Sequence, residues 1–147
     1  MKGKKPTLDN VVPMKGDTYR AAPPAPEWFP HPEAAEAWDH LAPVLIAKNR
    51  LEPHHEDLFA AYCVAVGDFI RFSGELAVMG NYYEVTTRNG LQEKKRAAWG
   101  QRQDALATMQ RIGALYGMSP VDEARLGNGG QGSFLEELEK AMRGGAS

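Results

Sequence analysis

Residues 53–79 read PHHEDLFAAYCVAVGDFIRFSGELAVM. Within this stretch Leu58, Tyr62, Cys63, Val66, Phe69, Ile70 and Leu76 recur mostly at three- and four-residue steps. That is the period of one helix face, so a helix is expected from about Pro53 to Met79. At a rise of 1.5 Å per residue it would be roughly 40 Å long. A helix of that length exceeds what a single small subunit covers, so contact with other subunits is expected; a kink at Gly67 or Gly74 is the alternative.

Upstream, a second helix is expected over Glu33–Lys48. Pro32 suits its first turn, and Glu33 and Glu36 suit the positive end of the helix dipole. Trp38, Leu41 and Leu45 give it an apolar stripe. Pro43 removes the backbone bond to the Asp39 carbonyl and predicts a kink. Residues 1–32 hold Pro6, Pro13, Pro23, Pro24, Pro26, Pro30 and Pro32 and read as a flexible basic tail. Trp28 and Phe29 are expected to anchor its end on the folded body.

Downstream, Gly80 ends the long helix. Tyr82 to Thr87 are aromatic and β-branched and read as a strand. Asn89-Gly90 is a hairpin signal, with Leu91 to Lys94 as the return strand. A helix follows from Arg96 to Tyr116, carrying Trp99, Leu106, Met109 and Ile112 inward, and Gly117 caps it. Ser119-Pro120 opens a turn or short helix to Leu126. Residues 127–133, Gly-Asn-Gly-Gly-Gln-Gly-Ser, predict a linker with a span of about 15 Å. Beyond it Phe134, Leu135, Leu138, Ala141 and Met142 share one face of a short helix. Ten residues of helix are marginal alone, so this one reads as a docking peptide for a partner or for its own domain. The expected fold is mainly α, with a helical core over 33–126, one long helix, a small hairpin, a disordered N-terminal tail and a tethered C-terminal helix over 134–147.

The net charge of −2 conceals segregation. Residues 1–20 carry Lys2, Lys4, Lys5, Lys15 and Arg20 against Asp9 and Asp17. Residues 27–84 carry three cations, Lys48, Arg50 and Arg71, against ten carboxylates. Residues 88–111 carry Arg88, Lys94, Lys95, Arg96, Arg102 and Arg111 against Glu93 and Asp104. Two basic zones flank an acidic one, which permits local contact with an anionic polymer. No apolar stretch approaches the roughly 18 residues of a membrane span. The basic start has no apolar run behind it and is not expected to be a secretory signal. Cys63 is the single cysteine, so neither an internal disulfide nor a cysteine-rich zinc site is expected, and a cytoplasmic setting follows.

Catalytic chemistry finds little support. There is no Gly-x-x-x-x-Gly-Lys-Ser/Thr loop, and the 127–132 glycines lack the lysine that phosphate binding uses. His54 and His55 are adjacent and point about 100° apart on a helix, whereas metal ligands sharing a face sit three or four residues apart. They read as a polar helix start. No nucleophile motif surrounds Ser73 or Cys63. No catalytic residue, metal or cofactor is therefore expected. Arg88, Lys94, Lys95, Arg96 and Arg102, on the hairpin tip and the helix behind it, are better suited to phosphate contact, with Lys2, Lys4, Lys5 and Lys15 as a second arm.

Several ordered segments resemble a tailed-phage terminase small-subunit family. They are Lys5-Pro6-Thr7 and Met14-Lys15-Gly16; Pro26-Glu27-Trp28 leading to Ala37-Trp38 and Leu41-Ala42-Pro43-Val44-Leu45; Leu58 to Cys63; the Gly80–Gly90 hairpin; and Leu115 to Pro120 followed by Ala124-Arg125-Leu126. The resemblance implies a non-catalytic subunit of the bacterial host's cytoplasm. Such a subunit assembles into a homo-oligomeric ring, recognises double-stranded viral DNA and presents it to a large subunit carrying ATPase and nuclease. The tethered C-terminal helix, which lies beyond the resembling segments, is expected to dock on that large subunit through Phe134, Leu135, Leu138 and Met142. Here Glu93 to Ala97 replace the proline-containing entry to the third helix that many relatives carry. A dimeric DNA-binding regulator without a packaging role is the alternative reading. A metal enzyme built on His54 and His55 is a more distant one.

Overall fold

The computed structural model describes residues 20–144, excepting the side chains of 128–137. Helix α1 spans Pro32–Ala47 and α2 Glu56–Met79; strands β1 Tyr82–Thr87 and β2 Gly90–Lys95 form a hairpin; α3 spans Ala97–Tyr116 and α4 Pro120–Gly144. The fold is mainly α, as the periodicities predict.

Pro32 occupies the first turn of α1, where its missing N–H costs nothing. The helix continues through Pro43 to Ala47. The chain then reverses at Asn49, whose φ is +55°, a conformation asparagine tolerates better than most residues. Arg50 N–H donates to the Leu45 carbonyl at 2.8 Å, closing the turn. A short 3-10 turn over Pro53–His55 precedes α2.

Helix α2 is the spine, with α1 packed on one side and α3 on the other. The core gathers where all three meet. Trp38, Leu51, Phe59 and Cys63 are its largest fully buried side chains. Trp38 and Phe59 rings lie 5.0 Å apart and Phe59 and Tyr116 5.6 Å apart. Each polar edge has a partner. The Trp38 indole N–H donates to the Pro23 carbonyl at 2.9 Å, and the Tyr116 hydroxyl donates to the His55 carbonyl at 2.8 Å. Aromatic residues thus supply large buried area without an orphaned donor. Truncating either Trp38 or Phe59 to alanine costs about 3–5 kcal/mol in such a setting.

The expected tail boundary at residue 32 moves toward the N-terminus. Residues 20–31 lie along the body: Arg20 donates to the Leu51 carbonyl at 3.1 Å and to Glu56 at 2.9 Å, and Phe29 packs against the core. Trp28 stays 64% exposed and touches Phe29 edge-on at 5.0 Å, so Phe29 is the anchor. Prolines rule out a helix here but leave an extended segment able to dock through carbonyls and rings.

Where α1 begins, the His31 ring sits over Gly67. A Cβ on Gly67 would lie 2.3 Å from His31 Cε1 and 3.0 Å from the Ala34 nitrogen. His31 Nε2 lies 2.9 Å from Asp68 Oδ1. The glycine is therefore a close-approach position, not a kink.

The C-terminal region also differs from expectation. Residues 127–133 are helical backbone inside α4, not a linker between two elements. Ser119 caps this helix: its hydroxyl accepts the Asp122 N–H at 3.1 Å, and Pro120 follows at the first position. Glycine costs about 1 kcal/mol against alanine in a helix but does not forbid one, so a composition that reads as linker is compatible with continuous helix. Helix α4 touches the body near its start. There Lys48 pairs with Glu123, and Arg125 donates to the Ala114 carbonyl at 3.1 Å.

Candidate nucleic-acid interface

The hairpin extends from the far end of the α2–α3 pair and packs mainly on itself. Its register pairs Tyr82 with Lys95, Tyr83 with Lys94, Glu84 with Glu93, Val85 with Gln92, Thr86 with Leu91 and Thr87 with Gly90. The loop is therefore Arg88-Asn89, not Asn89-Gly90. Gly90 opens β2 with φ +103°, the positive value only glycine adopts freely. Thr87 Oγ1 accepts the Asn89 N–H at 3.3 Å and donates to the Gly90 carbonyl at 2.9 Å, which sets Arg88 at the tip.

Strand geometry separates cations that are contiguous in sequence. Side chains alternate along a strand, so Lys94 projects with Tyr83, Val85 and Gln92, while Lys95 projects with Tyr82, Glu84 and Glu93. Lys94, Lys95 and Arg96 are thus not one cluster. Lys95 Nζ lies 4.1 Å from the centroid of the Trp99 ring. Arg96 stands back on the Lys94 side with its guanidinium carbon 5.6 Å from the Tyr83 ring centroid, and its Nε–H donates to the Met79 carbonyl at 3.1 Å. Its backbone N–H donates to the Asn81 carbonyl at 2.9 Å. Arg96 therefore clamps the hairpin base to the end of α2. Cation–π contacts of this kind contribute about 0.5–1 kcal/mol at exposed sites. Arg102 is half-buried on α3, three residues beyond Trp99.

The two hairpin faces differ in charge. The face with Lys95 also holds Glu84 directly opposite Glu93, both exposed, a like-charge pair that destabilises a hairpin slightly and lowers the local potential. The opposite face holds Tyr83, Val85, Gln92 and Lys94, with Arg96 at its base and no carboxylate. Arg88 and Lys94 are exposed and form no ion pair with any described residue. Periodicity-two reasoning applied to residues 82–96 would have separated these faces from sequence once the register was known.

The remaining predicted residues fall elsewhere. Lys2, Lys4, Lys5 and Lys15 lie outside the described residues, as do the side chains of Phe134 and Leu135. Leu138 and Met142 are exposed on α4, 47% and 73%. The His54 and His55 ring centroids lie 3.9 Å apart with the planes tilted by 56°, and His55 Nδ1 accepts the Glu52 N–H at 3.2 Å, a helix-start contact. Among the described residues no three His, Cys, Asp or Glu side chains converge as a metal site would require. Burial pushes the Cys63 thiol up to about 12, far from a reactive thiolate.

A three-helix body extended by a hairpin with one cationic, carboxylate-free face defines a helical scaffold protein with a cationic arm. The family model described as phage terminase, small subunit, matches residues 34–133, and the chain belongs to that family. The family's role lies in phage DNA packaging, and its small subunits are generally non-catalytic. No curated protein and no solved structure matches the chain significantly. Among the described residues no helix is long and apolar enough to cross a membrane.

Proposed function

We propose that the protein is the DNA-recognition subunit of a packaging terminase. It binds double-stranded viral DNA and hands it to the large ATPase–nuclease subunit in the host cytoplasm. The observation that carries the DNA part is the carboxylate-free hairpin face. Tyr83, Lys94 and Arg96 lie together there and Arg88 extends beyond them, while the opposite face is diluted by Glu84 and Glu93. Flexible cations on an exposed edge suit phosphate contact without a shaped pocket. Lys2, Lys4, Lys5 and Lys15 form a second basic arm, and Lys95 and Arg102 a secondary contact. The protein acts as a homo-oligomeric ring, which multiplies one hairpin into a circle of cations. The Phe134, Leu135, Leu138 and Met142 stripe of α4 docks on the large subunit.

The test is fluorescence anisotropy with duplex DNA across a salt series. Replacing Arg88 and Lys94 by alanine should lower affinity and reduce the slope of log K against log salt by about 0.9 for each phosphate that is no longer neutralised. K95A should have the smaller effect. If R88A/K94A leaves affinity and slope unchanged, the hairpin does not touch DNA. Light scattering of the wild type tests the ring, as a mass many times 16.2 kDa.

A further inference from the structure

The carboxylate-free face of the hairpin is not uniformly cationic. From base to tip it carries Lys94 beside Tyr83, Gln92 beside Val85 and Gly90 beside Thr87, with Arg88 at the turn. Its cations therefore stand at the two ends, and its centre is a neutral pair. Gln92 is exposed and Val85 half-buried. The side-chain hydrogen bonds of the hairpin belong to Thr87 and Arg96 and leave the Gln92 carboxamide unengaged. Gly90, the next position toward the tip on this face, has no side chain to crowd it. Strands of six residues at about 3.4 Å per residue make an arm roughly 20 Å long, with its two strands about 4.8 Å apart. A two-stranded ribbon fits the major groove of B-DNA, about 12 Å wide, and is too broad for the minor groove at about 6 Å. The arm packs mainly on itself, so the body does not cover this face.

We propose, resting on the DNA-binding reading above, that the hairpin enters the major groove with this face toward the bases, where Gln92 reads an adenine and Val85 covers a thymine methyl. The chemistry of the central pair selects that base pair. A carboxamide donates and accepts at once, which matches the adenine N6 amino group and N7. Guanine offers two acceptors there and would leave the Gln92 carbonyl without a donor. The Val85 methyls, next to Gln92 on the face, suit the apolar C5-methyl of thymine. Lys94 and Arg88 are long and donate only, so they reach from either end of the face to the phosphates along the groove. The same orientation points the Glu84–Glu93 pair out of the groove. The hairpin then supplies base discrimination at its centre and sequence-independent attraction at its ends.

Selection from a random duplex library with the full-length chain tests it, followed by anisotropy on one selected duplex. The wild type should enrich adenine at one position, and Q92A should lose that enrichment while circular dichroism stays native, since Gln92 is exposed. Replacing that adenine by 7-deaza-adenine, which keeps base pairing and removes N7, should weaken wild-type binding about tenfold and leave Q92A binding unchanged. Duplex binding with its usual salt dependence but no adenine preference overturns this proposal alone and leaves the DNA-binding reading standing. A preference or a 7-deaza-adenine penalty that Q92A retains in full does the same. A chain that binds no duplex at all overturns both.

Discussion

Glycine-to-alanine substitution in a helix normally stabilises, and Gly67 should do the reverse. Alanine gains about 1 kcal/mol over glycine in helix propensity. At Gly67 the new methyl would overlap the His31 ring at 2.3 Å and 2.6 Å and press on the Ala34 backbone nitrogen. His31 is buried and held to Asp68 at 2.9 Å, so it has little freedom to retreat. Overpacking costs about 1–3 kcal/mol, and loss of the His31–Asp68 hydrogen bond adds about 1 kcal/mol. The net is a loss of roughly 1–3 kcal/mol, or a Tm about 2–12 °C lower at roughly 2–4 °C per kcal/mol. Gly100 on α3 is the control: an added Cβ there meets nothing within 4 Å. G100A should keep the propensity gain and raise Tm by about 2–4 °C. Differential scanning calorimetry of the two variants against wild type decides it. If G67A raises Tm as G100A does, the His31–Gly67 packing is not what sets the start of α1 on α2.

Cys63 should resist thiol reagents at pH 8 in the native protein and react once denaturant opens the core; stoichiometric native labelling would contradict the burial. Because its pKa is raised to about 12, its neutral form favours the fold fully below the unfolded value of about 8.5, and that contribution fades as pH rises toward 12. Glu123 is held below the ordinary carboxylate range, chiefly by its hydrogen bond from Lys48 and then by the Lys48 and Arg50 charges. Its stabilisation is present above the unfolded carboxylate pKa and is lost as pH falls through the lowered one. A small Tm difference between K48A and wild type at pH 7 should therefore vanish at strongly acidic pH, and a difference that persists there would assign it to packing. Replacing Gly127, Gly129 and Gly130 with alanine should increase circular dichroism at 222 nm; no gain would count against continuous helix in α4. Deleting residues 127–147 should abolish capture by the large subunit and leave assembly intact, whereas normal capture would remove α4 from that interface.

Much of the molecule was legible in the sequence because local chemistry dictates it. The three- and four-residue recurrence from Leu58 to Leu76 specifies α2, the aromatic and β-branched run from Tyr82 to Thr87 specifies β1, and Gly117 stops α3 in the left-handed conformation that alanine or leucine would resist. Charge segregation pointed to the hairpin as the cationic end. What local chemistry cannot decide is which side chains end up side by side. Lys94, Lys95 and Arg96 are neighbours in sequence, yet the pairing of Tyr83 with Lys94 sends Lys95 to the other face, and Arg96 is drawn into clamping Met79. Gly67 reads as a possible kink until His31, at the start of α1, is seen to occupy the space of its missing Cβ. Helix and strand periods are properties of one segment and follow from its own residues. Register, close approach and the sharing of a face depend on two segments meeting, and only tertiary packing settles which atoms exclude which.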